Sequence, residues 1–186
     1  MAEFPDHPFW DFSLEVYMSD GVGPACLELQ DAHELDVNVL LFCMWVGASG
    51  RGALTGEQME TVTGAVREWH EDIVRVLRAL RTRMKGGMAH APAELAESLR
   101  QRIQKTEIDC EHTEQLMLAG AVELPVEENR SPNACLSDAV SNISAYFRTF
   151  AGDVSAHDRT NIALMLAVAF RDLSAGTVET ACGNLS

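Results

Sequence analysis

Residues 55–85 read TGEQMETVTGAVREWHEDIVRVLRALRTRMK. Thr55 stands where a helix N-cap would, with Gln58 three residues on, the pair that forms a capping box. Met59, Val62, Val66, Trp69, Ile73, Val76 and Leu80 then follow in alternating steps of three and four, an apolar seam sustained over three heptads. Arg75, Arg78, Arg81, Arg83 and Lys85 crowd the far end, which suits the negative end of a helix dipole. Gly86-Gly87 stops the helix.

A seam of this length needs a partner. Pro92 opens one that runs to about Ala119, with Leu99, Ile103, Thr106, Cys110, Thr113 and Met117 at the same spacing. The link at 86–91 is short enough to predict an antiparallel hairpin, each arm roughly 40 Å long at 1.5 Å per residue. The second seam is the more polar of the two, so other helices or a second copy of the chain are expected to cover it.

Toward the N-terminus, Asp36 is placed to cap a helix over Val37–Ala48. That helix is apolar on every side, which predicts burial at the centre of the fold. Shorter helices are expected over 9–18 and 24–33, separated by Gly21 and Gly23, with Pro24 at a first turn. Toward the C-terminus, 120–131 reads as a loop, and Ser131-Pro132 restarts a helix to about Phe150. Ser155 and Asp158 open a last helix containing IALMLAVAF, and the chain from Gly176 is expected to fray. The expected fold class is all-α: a bundle of six or seven helices built around the long antiparallel hairpin. It is read as one domain over 1–186, comprising an acidic apolar segment 1–54, the hairpin 55–119 and C-terminal helices 131–175.

The charge is unevenly spread. The first fifty residues carry nine acidic side chains and no Lys or Arg, together with Phe4, Phe9, Trp10, Phe12, Tyr17, Phe42 and Trp45. Such a segment must bury rings, and its charge must be met elsewhere. Residues 51–105 carry ten basic against seven acidic groups, and residues 106–186 four against twelve. Pairing of the basic centre with its acidic flanks is the simpler expectation; an anion site at Arg75, Arg78 and Arg81 is the sharper one. The net charge of −14 disfavours nucleic acid and anionic membrane as partners. MAEFPDHPFW lacks the regions of a secretory signal. The five cysteines are odd in number with no C-x-x-C, so reduced thiols in a cytoplasm are expected.

The blocks FWDFSLEVY (9–17), GVGPACLELQD (21–31) and DVNVLLFCMWVG (36–47) resemble an uncharacterised proteobacterial family catalogued as a domain of unknown function. Asn142-Ile-Ser-Ala-Tyr146 extends the likeness. His33-Glu34-Leu35 departs from it, standing where the family pattern has a glycine-containing turn. The resemblance implies a cytoplasmic all-helical protein. It implies no activity, cofactor or catalytic residue.

The glycine-rich stretch 47–56 contains neither a phosphate-binding loop nor a dinucleotide fingerprint, and no nucleophile elbow. Asp109-x-x-His112 is half of a di-iron pattern, but the remaining half is missing from the sequence. Asp109 and His112 are expected to face solvent. A cluster of His70, Cys110 and Asp109 is conceivable across the hairpin, but no metal and no cofactor is expected. Asp36 and Asn38 flank a very apolar helix, where a buried carboxylate would have a raised pKa. With Trp10, Tyr17, Gln30 and Asp31 they form the first-choice ligand-binding group.

Two functions from different classes follow. The first is a non-enzymatic interaction or regulatory protein that binds another protein or itself, for which an exposed apolar strip along the hairpin is expected. The second is a small helical enzyme or ligand-binding protein with an enclosed pocket near Trp10, Gln30, Asp36 and Asn38. The first is the preferred expectation.

Overall fold

A helix with no polar face has to be surrounded, and α3 (Val37–Ala48) is: every residue from Asn38 to Gly47 is buried. The computed structural model describes residues 4–185; residues 1–3 of the acidic segment and Ser186 lie outside it. The Asp36 carboxylate caps α3 by accepting the Asn38 N–H at 2.8 Å. Before it come α1 (Pro8–Tyr17) and α2 (Val22–His33). Phe9 of α1 is buried against Phe42 and Trp45, with ring centroids 5.4 and 5.3 Å away. Phe4 and Tyr17, by contrast, remain exposed.

The 55–85 segment forms α4 (Gly56–Trp69), one π-helical turn (His70–Val74) and α5 (Arg75–Met84), without a break. Thr55 and Gln58 form the reciprocal capping box, at 3.2 and 2.9 Å. Residues 85–92 lead into α6 (Ala93–Ala121), which packs along α4 and α5. Then follow α7 (Pro132–Phe150), α8 (Ala156–Ala169) and α9 (Ala175–Cys182). The described residues are all-helical, with no strand. With α4, the π turn and α5 taken as one rod, they form eight helices.

The count of six or seven is therefore corrected. The chain beyond Gly176 does not fray: Ser174 accepts the Thr177 N–H at 3.2 Å as an N-cap, and Val178, Cys182 and Leu185 are buried.

The apolar seam is corrected too. Met59, Val62 and Val66 face inward as expected, but Ile73, Val76 and Leu80 are 37%, 56% and 47% exposed. The π turn accommodates one extra residue, so everything after it is rotated relative to a regular helix. Val74 is buried in place of Ile73, and Arg78 and Arg81 are turned toward α6. On α6 the inward face is Ala96, Glu107, Glu114, Gln115 and Leu118, while Leu99 and Thr106 are exposed. Glu107 and Glu114 lie on the inward face, each one residue past the expected seam positions Thr106 and Thr113.

Among the described residues α3 makes its most extensive contact with α7, where Gly47 lies against Ala139. Asn142 on α7 is fully buried and ties in the chain that leaves α3. It accepts the Leu54 N–H at 2.7 Å and donates to the Cys43 and Gly52 carbonyls at 3.2 and 3.3 Å. One apolar cluster runs from Phe9 through α3 and α7 to Leu185.

Glu34 ends α2 in the left-handed region, at φ +53°. A side chain there costs about 1–2 kcal/mol that glycine avoids. The Arg75 pair at 3.7 Å is solvent-exposed and offsets little of it. Glu34→Gly is expected to raise the unfolding free energy by about 0.5–1 kcal/mol after the greater flexibility of unfolded glycine is deducted. A urea titration yielding a loss of stability would contradict this.

Candidate functional site

Two turns of backbone place the first half of the site. The α2–α3 turn puts Asp36 at the start of α3, where its N–H donates to the Tyr146 hydroxyl at 3.0 Å. Two residues later, in the first turn of α3, Asn38 points its amide at α6. Asn38 Nδ2 donates to Glu114 Oε2 at 2.6 Å, and Asn38 Oδ1 accepts from Gln115 Nε2 at 2.8 Å. Asn38 therefore holds both carboxylates, Asp36 through its backbone N–H and Glu114 through its side chain.

The π turn supplies the third member. It begins at His70 and directs Nδ1 of the ring to 3.0 Å from Glu114 Oε1 and 3.2 Å from Asp36 Oδ2. Asp36, His70 and Glu114 thus bring three metal-ligating atoms within 4.8 Å of one another. Burial, then the neighbouring Glu114 charge, pushes the Asp36 carboxyl up to about 7. Burial alone would lower the His70 pKa. The Glu114 hydrogen bond and the Asp36 charge outweigh it, and the net direction is upward. A carboxyl poised near neutrality is a group that can take up or release a proton at a site.

Beside this trio runs a charged ladder between α5 and α6. Arg78 donates from Nε to Glu107 at 3.1 Å, from Nη2 to Glu111 at 2.5 Å, and from Nη1 to Gln30 of α2. Arg81 grips Glu107 with two nitrogens. Glu107 is buried, and such charges are tolerated only when paired in this way. Arg75 sits apart, facing Glu34 at 3.7 Å. Each of the three arginines meets a carboxylate of the chain.

One cleft of about 560 Å³ lies between α1, α2, α3, α5 and α6. Trp10, Tyr17, Gln30, Asp31, Asp36 and Asn38 all border it, as do Arg78 and Arg81. Arg75 does not border it. Leu14, Leu41 and Ile108 supply apolar wall.

Three further expectations are corrected. His112 does not face solvent: it is buried, stacked on Trp10 at 4.1 Å with 4° between the rings, and on Phe4 at 5.0 Å. Asp109 is half-buried rather than exposed. His70 meets Asp36 and Glu114, not Cys110 and Asp109. The Cys110 carbonyl accepts from Trp69 Nε1 at 3.0 Å. Sequence reasoning missed Glu114, Gln115 and the inward role of Glu107. The available signal was their spacing: Glu107, Glu111 and Glu114 recur every three to four residues in line with Leu118, as one helix face.

Fold and site together define an all-helical protein with a buried carboxylate–imidazole cluster beside a cleft. The chain belongs to the family described as "Protein of unknown function (DUF2390)", which matches residues 8–118. That stretch runs from the start of α1 into the last turn of α6, and so takes in every residue that borders the cleft. No curated protein and no solved structure matches the chain.

Proposed function

We propose that this protein binds a small organic ligand, with an apolar body and a polar end, in the cleft between α1–α3 and the α5–α6 pair. The observation that carries the reading is convergence. Six residues from the N-terminal helices and two arginines border one cleft, whose volume of about 560 Å³ suits a small molecule. One buried acceptor on its border, Gln115 Oε1, receives no hydrogen bond from the chain. Buried polar atoms are normally satisfied, so this oxygen favours a donor from outside.

Native mass spectrometry of the protein, purified from cells and then incubated with a small-molecule extract, tests this. The expected result is a defined mass excess that is lost on denaturation. Leu14 is exposed at the cleft wall, so Leu14→Asp should leave the melting temperature within about 2 °C, as exposed substitutions do, yet abolish the excess. A bare mass near 20.4 kDa under all conditions would overturn the reading.

A second reading rests on a different surface. Ile73, Val76 and Leu80 are exposed on the outer side of what we take to be an antiparallel hairpin, within a single domain. Apolar side chains at these positions support docking of a protein, or of a second copy of this chain. Val76→Glu with Leu80→Glu is expected to turn an associating species into a monomer in sedimentation velocity. A wild-type chain that is monomeric at 100 µM would remove self-association. The five free thiols support a reducing compartment such as the cytoplasm. No helix among the described residues is long and apolar enough to cross a membrane.

A further inference from the structure

We propose that Asp36, His70 and Glu114 bind one divalent transition-metal ion, of the Zn(II), Mn(II) or Fe(II) class, through Asp36 Oδ2, His70 Nδ1 and Glu114 Oε1. The site stands on its own geometry and does not depend on a ligand in the cleft.

The first argument is a count of hydrogens. Nδ1 carries at most one, and it faces two carboxylate oxygens, at 3.0 and 3.2 Å. With that hydrogen on Glu114, Asp36 Oδ2 receives none, although Asp36 is only 8% exposed. The second argument is charge. With both carboxyls ionised and the imidazole neutral, the forms that ligate a metal, the trio carries −2, which a dication brings to neutrality. Buried charge is costly unless compensated or coordinated to a metal.

Geometry agrees. Atoms each about 2.1 Å from one metal ion lie roughly 3.0–3.4 Å from one another. The two separations that involve Nδ1 fall in that range. A mixed set of one imidazole and two carboxylates suits the named metals better than Ca(II), which takes oxygen ligands only. The trio is also pre-set by its surroundings. Asn38 occupies the other oxygen of each carboxylate, Asp36 Oδ1 at 2.8 Å and Glu114 Oε2 at 2.6 Å, leaving one oxygen on each aimed inward. Outer hydrogen bonds of this kind orient metal ligands. The π turn begins at His70, and single π turns within helices recur at functional sites. Three protein ligands leave coordination positions open, and Asp36 and Asn38 both border the cleft.

The test uses the full chain, stripped with chelator and desalted, then titrated separately with Mn(II), Co(II) and Zn(II). Bound metal is counted by elemental analysis. One equivalent per chain is expected. Glu114→Gln and His70→Asn should each weaken binding by about 100-fold or more, beyond what loss of an outer partner does. Circular dichroism melts in chelator establish that each variant folds; if Glu114→Gln does not, His70→Asn and Asp36→Asn carry the comparison. The cobalt form of the wild type should show visible ligand-field bands without strong near-ultraviolet thiolate absorption. Absence of stoichiometric binding by the wild type would overturn the proposal. So would equal binding by folded variants, which would place the ion on surface carboxylates. A thiolate band would move it to Cys110.

Discussion

Gly47→Ala is expected to lower the unfolding free energy by about 3 kcal/mol, near the upper end of what overpacking costs. A Cβ at position 47 would lie 2.4 Å from the Ala139 nitrogen, 2.6 Å from its Cα and 2.7 Å from its Cβ. None of these atoms belongs to a side chain that can rotate away. Helix α3 would have to withdraw from α7 where the two pack closely, loosening contacts on both sides of the contact point. In a chain of this size that corresponds to a fall in melting temperature of roughly 6–12 °C. Ala139→Gly in the same background removes one of the three clashing atoms, and it should restore only a part. A loss below 1 kcal/mol in chemical denaturation would mean that the two helices lie farther apart than described.

Asn142→Ala comes next, at about 3 kcal/mol. The side chain is fully buried and serves three backbone groups: the Leu54 N–H and the Cys43 and Gly52 carbonyls. Removing one partner of a buried hydrogen bond strands the other, at about 1–3 kcal/mol per group. Gly52 is half-buried and can recruit water, so two groups bear most of the loss. Asn142→Asp keeps an acceptor for Leu54 but cannot donate to the carbonyls and buries a charge. It should be at least as damaging. The local signature is amide exchange at Leu54, which should quicken more than exchange within α8. Unchanged protection at Leu54 would show that the loop from Gly50 to Leu54 is held by something else.

Much of the architecture was readable because particular residues leave little choice. A dodecamer such as VNVLLFCMWVGA is apolar on all faces, and only the centre of a helical fold can accept it. Thr55 with Gln58 and Ser155 with Asp158 mark helix starts by reciprocal bonds that the sequence spells out, and both boxes form. The N-terminal half of the candidate site was legible for a related reason: polar residues flanking a buried helix have to converge on something polar. Its other half was not. Glu107, Glu111 and Glu114 look like the solvated face of a long helix, because carboxylates are rarely buried. Only the inward turn of Arg78, Arg81 and His70 makes their burial possible, and that turn depends on one extra residue that no apolar pattern announces. Phe4 and Trp10 could not be assigned to His112 from sequence, since stacking across α1 and α6 is a product of the final packing.

That extra residue also bears on how this chain could change over generations. In a regular helix each residue turns the face by about 100°. Loss of a single codon between positions 70 and 74 would remove that residue and leave a regular α-helix, with Arg78 and Arg81 still turned toward α6. With every residue kept, a regular helix would instead bring Ile73, Val76 and Leu80 to that face. Within one reading frame, the same residues encode both a charged wall for a cleft and an ordinary apolar zipper, and the choice between them is the one residue that the π turn absorbs.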